Sequence, residues 1–224
     1  MIRVFLIDDH PIVRRGLAEL LAAEPGLVVC GQAEDAATAQ GAIAPAAPNV
    51  ILVDLSLGAT SGIDLIRELK QRVPRAAILV VSMHDERLYA ERSLRAGASG
   101  YVMKHEPTEL IVRAIRTVAS GGIFVSDEIS VRLLRLWVAN GALREGSPLD
   151  ALSNRELHVL ELIGRGLGTR AIANLLHISV KTVESYRARL KEKMNLKSGI
   201  ELMRFAIRWA TEEPKREPGD GPEV

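Results

Sequence analysis

Short apolar runs and longer segments with helical periodicity alternate through the first 125 residues of the chain. The apolar runs are continuous, which favours strands that are buried on both faces of a sheet. Five strand–helix repeats predict an α/β fold built on a five-stranded, doubly wound parallel sheet. The predicted strands are 4–8, 27–31, 50–54, 77–82 and 98–102, and the predicted helices lie near 11–23, 35–44, 62–72, 86–96 and 107–119.

The pattern becomes entirely helical after this region. A connector with glycine breaks contains one short helix near 127–139. Four further helices are predicted near 154–165, 169–176, 180–194 and 198–210. Ser153 and Glu156 have the spacing of a capping box at the start of the first of these four. The chain therefore divides into an α/β domain at 1–122, a linker at 123–147, a small all-α four-helix domain at 148–210 and a disordered acidic tail at 211–224.

Composition is typical of a soluble globular protein. Hydrophobic residues make up 47% and charged residues 25%, which excludes a fibrous or wholly disordered chain. Aromatic residues are 4%, which counts against a platform for stacking unpaired bases. The net charge is +1, but residues 148–209 hold 11 basic and 6 acidic side chains. This local excess predicts a polyanion as the partner of the C-terminal domain.

The N-terminal residues and the single cysteine indicate the cellular compartment of the protein. Residues 1–8 lack the long apolar stretch and cleavage site of a signal peptide, and no apolar run reaches the ~18 residues that span a bilayer. Cys30 lies in an apolar run, where a small buried side chain is expected. One cysteine cannot form a disulfide framework or a zinc site. We therefore expect a cytoplasmic protein with no membrane partner.

Polar side chains follow four of the predicted strands. Asp8 and Asp9 end the first strand, Asp54 the third and Ser82 the fourth, and Lys104 follows the fifth. Ligands of doubly wound sheets bind beyond the carboxyl ends of the strands, so these groups are expected to share one crevice. Each of them alone could be an ordinary solvated loop residue, but their joint placement favours a built site.

The residues of this crevice suit phosphoryl transfer. Clustered carboxylates favour a hard cation, and Mg²⁺ takes oxygen ligands while keeping several waters. Asp54 could attack a phosphoryl group as a carboxylate nucleophile and form an aspartyl phosphate. Ser82 can donate a hydrogen bond to a phosphoryl oxygen, and Lys104 can supply a positive charge.

The segment 180–194 has the features of a recognition helix. Val183, Leu190 and Met194 recur at helical spacing and are predicted to face the core. A short helix at 169–176 precedes this segment across a three-residue turn. That arrangement predicts a helix-turn-helix whose second helix enters the major groove. The alternative is a four-helix module with a solvated basic face.

Two sets of side chains around this helix are candidates for contacts to DNA. The candidates for phosphate contacts are Lys181, Thr182, Arg187, Arg189, Lys191 and Lys197. The candidates for contacts to base edges are Glu184, Ser185 and Ala188. Glu184 could accept from a cytosine amino group, or it could merely pair across a turn with Lys181 or with a neighbour of Ala188, and both interpretations stay open.

Residues 2–120 resemble the receiver domain of bacterial response regulators. The likeness rests on the turn at 97–101 and on the set Asp8, Asp9, Asp54, Ser82 and Lys104. It implies a flavodoxin-like fold in which Asp54 is the phosphoacceptor and Lys104 the lysine of the pocket. It also implies that Mg²⁺ is bound by Asp8, Asp9, Asp54 and the carbonyl oxygen of Ser56. Ser82 would be the switch hydroxyl.

The resemblance also bears on Tyr101 and on four other positions: Leu57, Gly58, Met83 and His84. The resemblance makes Tyr101 the switch aromatic, although an aromatic that packs a strand end fits equally well. Leu57 and Gly58 replace the usual Met-Pro, so the loop beside the acceptor is less constrained. Met83 is bulkier than the small residue common after the switch hydroxyl, which could restrict access. His84 occupies a position where the family tunes phosphoryl hydrolysis, or it is a solvated loop histidine.

Residues 148–210 resemble the LuxR-type helix-turn-helix. The matching segments are 152–157, 172–173, 178–179, 182–183 and 193–196. Members of that family bind DNA as dimers, and the last helix is the expected interface. Its apolar residues Ile200, Met203 and Ile207 could equally belong to the core. The two domains together resemble a NarL/FixJ-type response regulator.

The combined resemblance implies a transcription regulator controlled by phosphorylation rather than an enzyme. A sensor histidine kinase would phosphorylate Asp54, and the chain would then form a homodimer on double-stranded DNA. One alternative is an atypical receiver whose DNA binding is independent of phosphorylation. An aspartate-dependent phosphatase is disfavoured, because such enzymes have a second Asp two residues after a first-strand nucleophile, where this chain has His10.

Overall fold

The computed structural model describes residues 1–58, 60–138 and 148–211. The chain forms two compact units. Of the described residues, those up to 138 belong to the first unit and 148–211 belong to the second. The end of the predicted linker, 139–147, lies outside the described residues. So does the predicted acidic tail after Thr211.

The first unit alternates strands and helices, as the apolar pattern predicts. Its strands are β1 (Ile2–Ile7), β2 (Leu27–Ala33), β3 (Val50–Val53), β4 (Ser56–Leu57), β5 (Thr60–Ser61), β6 (Ala77–Ser82) and β7 (Gly100–Met103). Its helices are α1 (Pro11–Ala23), α2 (Ala36–Ala46), α3 (Gly62–Arg72), α4 (Glu86–Ala96), α5 (Thr108–Ala119) and α6 (Asp127–Val138).

Five of these strands form one parallel sheet in the order β2-β1-β3-β6-β7. The predicted doubly wound, flavodoxin-like architecture is thereby confirmed. The strand order reverses at β1, so the crevice beyond the carboxyl ends of β1 and β3 is where such a sheet binds ligands. The two-residue strands β4 and β5 pair antiparallel in a separate hairpin just after β3.

Alternation along the strands builds a core on each face of the sheet. Val4, Leu6 and Leu52 belong to a buried cluster that includes Leu21 of α1 and Ile115 of α5. The residues between them on the strands point to the opposite face and are also buried. Both faces are therefore covered, which is why the apolar runs in the sequence are continuous.

The beginning of the predicted linker packs against the first unit. Phe124 forms a parallel bridge with Gly100, and its carbonyl oxygen accepts from the Tyr101 N–H at 2.8 Å. The predicted short helix is present as α6, and Ile129 in its first turns is buried. Arg132 of α6 donates to the carbonyl oxygen of Arg87 in α4 at 2.6 Å. Residues 123–138 of the predicted linker therefore pack against this unit.

The second unit is helical, as predicted. Its helices are α7 (Asn154–Gly164), α8 (Thr169–Leu175), α9 (Val180–Lys193) and α10 (Gly199–Thr211). Helix α7 packs against α9 and α10, and α8 packs against α9. The predicted capping box is present: the Ser153 hydroxyl accepts from the Glu156 N–H, and the Glu156 carboxylate accepts from the Ser153 N–H. Val183 and Leu190 are buried as predicted, whereas Met194 is half-buried.

Candidate phosphorylation site and nucleic-acid interface

Two carboxylates and a lysine meet at the carboxyl ends of β1, β3 and β7. Asp8 and Asp54 are both buried. The Nζ atom of Lys104 lies 2.7 Å from Asp8 Oδ2 and 2.7 Å from Asp54 Oδ2. The backbone brings them together, because the Asp54 N–H donates to the Ile7 carbonyl oxygen where β3 leaves its pairing with β1. Strand ends that are far apart in sequence therefore share one crevice, as the sheet topology requires.

Burial dominates the electrostatics of this group. Burial raises the pKa of Asp54, while the nearby charge of Lys104 acts in the opposite direction without cancelling it. Burial by itself lowers the pKa of Lys104, but attraction to Asp54 and hydrogen bonds to both carboxylates raise it overall. Lys104 is therefore held in its charged form. The other oxygen of Asp54, Oδ1, is buried without a hydrogen-bond partner in the described part of the chain.

Asp9 holds the loop that follows Asp54. Its Oδ2 atom accepts from the Gly58 N–H at 3.2 Å. A side chain at Gly62 would place a Cβ atom 2.5 Å from the Cα of Leu55, so the start of α3 is pressed against the residue after Asp54. Leu57 and Gly58 thus belong to a hairpin that is tied to the acidic cluster, although the loop lacks the usual proline.

His10 lies beside the same carboxylates and was not among the predicted site residues. Its Nδ1 atom is 2.7 Å from Asp9 Oδ1 and 3.4 Å from Asp8 Oδ1. One ligand atom from each of Asp8, Asp9, His10 and Asp54 can be chosen so that all four lie within 4.8 Å of one another. A ligand-type side chain next to two site carboxylates is the signal in the sequence that could have identified it.

The predicted switch residues are linked through His84. Ser82 is buried at the end of β6, and its hydroxyl oxygen accepts from the His84 N–H at 3.3 Å. Tyr101 is buried, and its hydroxyl donates to the His84 carbonyl oxygen at 2.7 Å. Tyr101 therefore does more than pack a strand end, since it also fastens the segment that follows the switch hydroxyl.

The interpretation of His84 as a solvated loop histidine is wrong. The residue is buried, and its ring centroid lies 4.7 Å from that of Tyr89 in α4. The Nε2 atom lies 3.0 Å from the Ser56 hydroxyl oxygen, so His84 connects the loop after Asp54 to the segment after Ser82. Met83, in contrast, is exposed.

In the second unit, α9 presents the predicted outer face. Lys181, Glu184, Ser185 and Ala188 are exposed, while Val183 on the other side is buried. Ser179 caps the helix by accepting from the Thr182 N–H at 3.0 Å. Among the remaining candidates, Arg189 and Lys197 are exposed, and Thr182, Arg187 and Lys191 are partly exposed. The turn between α8 and α9 therefore leaves a basic helix face open to a ligand.

Charged residues near this face differ in whether they are paired. Among the described residues, the Glu184 carboxylate makes no ion pair, so the pairing with Lys181 is wrong for this structure. Lys193 is engaged elsewhere, since its Nζ atom lies 2.7 Å from Oε2 of buried Glu156. Burial raises the pKa of Glu156, but hydrogen bonds from Lys193 and Ser153 lower it overall. Lys193 is thus a structural residue and not a candidate for DNA contact.

Family comparisons match both units. The model of the response regulator receiver domain matches residues 4–116. The model of the bacterial regulatory proteins of the luxR family matches residues 150–206. The chain is a LuxR-type response regulator. The predicted family, two-domain architecture and role in transcription regulation are therefore confirmed.

Whole-length relatives share this architecture. The response regulator is 35% identical over 223 residues to the DNA-binding transcriptional activator DevR/DosR of Mycobacterium tuberculosis, covering 99% of this chain and 100% of that protein. It is 33% identical to the oxygen regulatory protein NreC of Staphylococcus carnosus, covering 92% of this chain and 97% of NreC. These relatives are regulators, which leaves no support for the phosphatase interpretation.

A solved structure shows the same fold. RcsB from Salmonella enterica serovar Typhimurium, bound to promoter rprA in the presence of the phosphomimetic BeF3−, has a TM-score of 0.59 and 25% identity. The match covers 92% of this response regulator and 98% of that chain. Separately, the helices of the described ranges include none that is long and apolar enough to cross a bilayer.

Proposed function

We propose that this response regulator accepts a phosphoryl group on Asp54 and that the phosphorylated state controls binding of its helix-turn-helix to double-stranded DNA. The carboxylate of Asp54 carries the proposal. It is buried, its Oδ2 is held by Lys104, and its Oδ1 is buried without a partner in the described residues. A buried oxygen left unpaired is costly, and a covalent or ionic partner removes that cost.

The donor set of the pocket fits Mg²⁺. Carboxylates of Asp8, Asp9 and Asp54 offer oxygen ligands within 4.8 Å of one another, and the resemblance adds the carbonyl oxygen of Ser56. When bound, Mg²⁺ supplies positive charge to the oxygens of the incoming phosphoryl group. Asp8 is shared between this role and Lys104, because its Oδ2 already accepts from the lysine.

The phosphoryl donor in this proposal is the phosphohistidine of a sensor kinase. The Asp54 Oδ1 atom forms the new bond to phosphorus, the bond between phosphorus and the donor nitrogen breaks, and its electron pair stays on the imidazole. Lys104 is placed to hold the other carboxylate oxygen and to offset negative charge in the transition state. Ser82 is assigned to donate a hydrogen bond to a phosphoryl oxygen.

The same residues offer a route for the signal. If Ser82 turns toward the phosphoryl group, its bond with the His84 N–H is lost. The His84 carbonyl oxygen holds the Tyr101 hydroxyl, so movement of this segment reaches the aromatic switch. In this proposal the outcome is formation of a homodimer on DNA in the cytoplasm. Ile200, Met203 and Ile207, which are exposed along α10, form its helical interface.

One experiment tests the acceptor. The protein is incubated with Mg²⁺ and acetyl phosphate, and its intact mass is measured beside that of an Asp54→Asn variant. We expect the wild type to gain one phosphoryl group and the variant to gain none. A Glu106→Gln variant, which changes an acidic residue outside the cluster, should behave as the wild type. A folded wild type that gains nothing would reject phosphorylation and favour the atypical receiver.

A further inference from the structure

We propose that the acidic pocket binds a first-row transition dication through the nitrogen of His10 as well as through carboxylate oxygens. The cation class is Mn²⁺, Co²⁺, Ni²⁺ or Zn²⁺. This inference rests on the metal site of the proposed function and goes beyond it, because it adds a ligand and a selectivity. It concerns the residues Asp8, Asp9, His10 and Asp54.

The four side chains have the spacing of one coordination sphere. One ligand atom from each lies within 4.8 Å of one from every other, and the His10 Nδ1 atom lies 2.7 Å from Asp9 Oδ1. Ligand atoms bound about 2.1 Å from one metal are separated by about 3 to 4 Å. Small rotations of these side chains are therefore enough to direct all four atoms at a common centre.

Two oxygens in the group lack the hydrogen bonds that their burial calls for. The approach of His10 Nδ1 to Asp9 Oδ1 does not have hydrogen-bond geometry, and Asp9 Oδ1 has no such partner in the described residues. Asp54 Oδ1 is also buried without a partner there, on a side chain that is 2% exposed. A cation between these atoms would satisfy both oxygens at once.

The backbone keeps His10 at the pocket. The His10 N–H donates to Asp8 Oδ1 at 2.9 Å, and Pro11 begins helix α1 immediately afterwards. A proline at this position restricts the residue before it to extended backbone, which His10 adopts. The His10 side chain is 60% exposed, so one side of the site stays open to water and to a phosphoryl group. The imidazole is therefore held beside the carboxylates without closing the site.

The added nitrogen changes which cation is favoured. Mg²⁺ prefers oxygen ligands and gains little from an imidazole, whereas imidazole suits Zn²⁺, Ni²⁺ and related ions. A set of three carboxylates and one histidine is therefore more typical of sites for first-row transition dications than of the all-oxygen sites that bind Mg²⁺. Removing the imidazole should therefore weaken binding of these ions and leave binding of Mg²⁺ nearly unchanged.

The test uses the full chain and Mn²⁺, which is paramagnetic. Pulsed electron paramagnetic resonance of the wild type with bound Mn²⁺ should show hyperfine coupling to a ¹⁴N nucleus. His10→Ala should abolish that coupling and weaken Mn²⁺ binding, measured by titration, by about tenfold or more. Its affinity for Mg²⁺ should change less than about twofold, since Mg²⁺ keeps water in place of a nitrogen ligand.

A matched variant controls for the loss of any histidine. His177 is exposed, lies in the second unit and has a left-handed backbone that asparagine tolerates. His177→Asn should therefore keep both the ¹⁴N coupling and the affinity for Mn²⁺. The presence of a ¹⁴N coupling is measured on the wild type, and its assignment to His10 is measured on a His10→Ala protein that still binds Mg²⁺ and is therefore folded.

The outcomes separate this inference from the proposed function. Mn²⁺ that binds without ¹⁴N coupling, or with a coupling that His10→Ala retains, would overturn the role of His10. The Mg²⁺ site would stand in that case. If neither Mn²⁺ nor Mg²⁺ bound to the folded protein, both the inference and the metal site of the proposed function would be rejected.

Discussion

At the scale of single residues, burial of the charged Asp54 carboxylate lowers the stability of the fold at the site proposed for phosphorylation. The carboxylate is buried, and burial raises its pKa because the charged form loses its hydration. Lys104 offsets part of this cost but is shared with Asp8. In the proposed role of acceptor, Asp54 would keep this destabilised charge for reaction, a conflict between stability and activity that is common at functional sites.

The first prediction concerns Asp54→Asn and pH. The pKa of Asp54 is higher in the folded protein than in the unfolded chain, where it is ~3.9. The protonated carboxyl therefore adds its full contribution to stability below pH ~3.9, and this contribution is lost as the pH rises through the pKa of the folded protein. Asparagine cannot ionise, and Lys104 keeps Asp8 as a partner. We expect Asp54→Asn to be more stable than the wild type by about 1 kcal/mol at pH 7, with the gap closing towards pH 4.

Urea unfolding of the first unit in metal-free buffer, followed from pH 4 to pH 8, checks this expectation. Asp64→Asn is the matched control, because Asp64 is exposed and pairs only at the surface with Arg67. That variant should change the free energy of unfolding by less than about 0.5 kcal/mol at every pH. An Asp54→Asn protein that is no more stable than the wild type at pH 7 would contradict the assigned cost of burial.

At the scale of elements, the position of helix α6 on the first unit depends on tertiary contacts with α4. Arg132 reaches the Arg87 carbonyl oxygen at 2.6 Å and lies 3.7 Å from Glu91, both in α4. Ser126, just before α6, donates to Glu86 at 2.7 Å. Helix α4 follows the His84 segment, so α6 rests on the element next to the switch. Under the proposed function, docking of α6 would therefore respond to changes at the proposed phosphorylation site through α4.

The second prediction concerns Arg132→Ala. Removing one hydrogen bond and one partly exposed ion pair should weaken α6 docking by about 1 kcal/mol. Amide hydrogen exchange across 127–138 should then quicken by about fivefold, while exchange in β1 and β3 stays unchanged. Arg135→Ala removes an exposed arginine of the same helix and should leave the rates near those of the wild type. Equal exchange in the two variants would rule out the contact to α4 as the anchor.

At the scale of the whole molecule, one chain contains both the proposed phosphorylation site and a helix face with exposed basic residues. The net charge of +1 hides this division, because the excess of basic residues is confined to 148–209. Contacts to phosphates supply affinity that depends on salt, whereas contacts to base edges supply selectivity. The two sets of candidates on and just after α9 should therefore respond differently to substitution.

The third prediction separates those two sets. Arg189→Ala should weaken binding to every DNA sequence and reduce the slope of log K against log salt by about 1. Glu184→Ala should keep the salt slope and relax the preference at one base position by about 1 to 3 kcal/mol. Arg165→Ala, at the end of α7 where Arg165 pairs with Glu161, should change neither. Binding titrations of the phosphorylated protein at several salt concentrations measure both quantities.

A result in which Glu184→Ala lowers the salt slope, or leaves selectivity unchanged, would remove Glu184 from the residues that contact bases. A result in which Arg189→Ala alters the preferred sequence would exchange the assigned roles. Either finding would leave the family membership of the chain intact.

The elements of this response regulator follow closely from periodicity and local signals. Helices α1, α3 and α4 begin and end at the predicted residues, and the capping box before α7 is present. The fifth sheet strand is Gly100–Met103 where 98–102 was predicted, because Ala98 and Ser99 belong to the turn after α4. Hydrophobic periodicity and helix caps depend on residues close together in sequence. They therefore predict the same elements in any tertiary structure that buries the same faces.

Side-chain contacts between distant loops could not be read in this way. Burial of His84 against Tyr89 and its bond with Ser56 depend on how two loops fold over the sheet. The exposure of Ile200, Met203 and Ile207 depends on which face of α10 packs against α7. Apolar residues at helical spacing are compatible with either a core or an interface, and periodicity alone does not separate them.

Hydrophobic periodicity and local signals were enough to predict the order of the elements, the α/β and all-α units, and the residue types at the strand ends. Tertiary structure decided that Lys104 joins Asp8 to Asp54, that Asp54 Oδ1 is buried without a partner in the described residues, and that 123–138 docks on the first unit. The physical reason is that hydrophobic periodicity acts over neighbouring residues, whereas a site is assembled by strands that become neighbours only in the folded sheet.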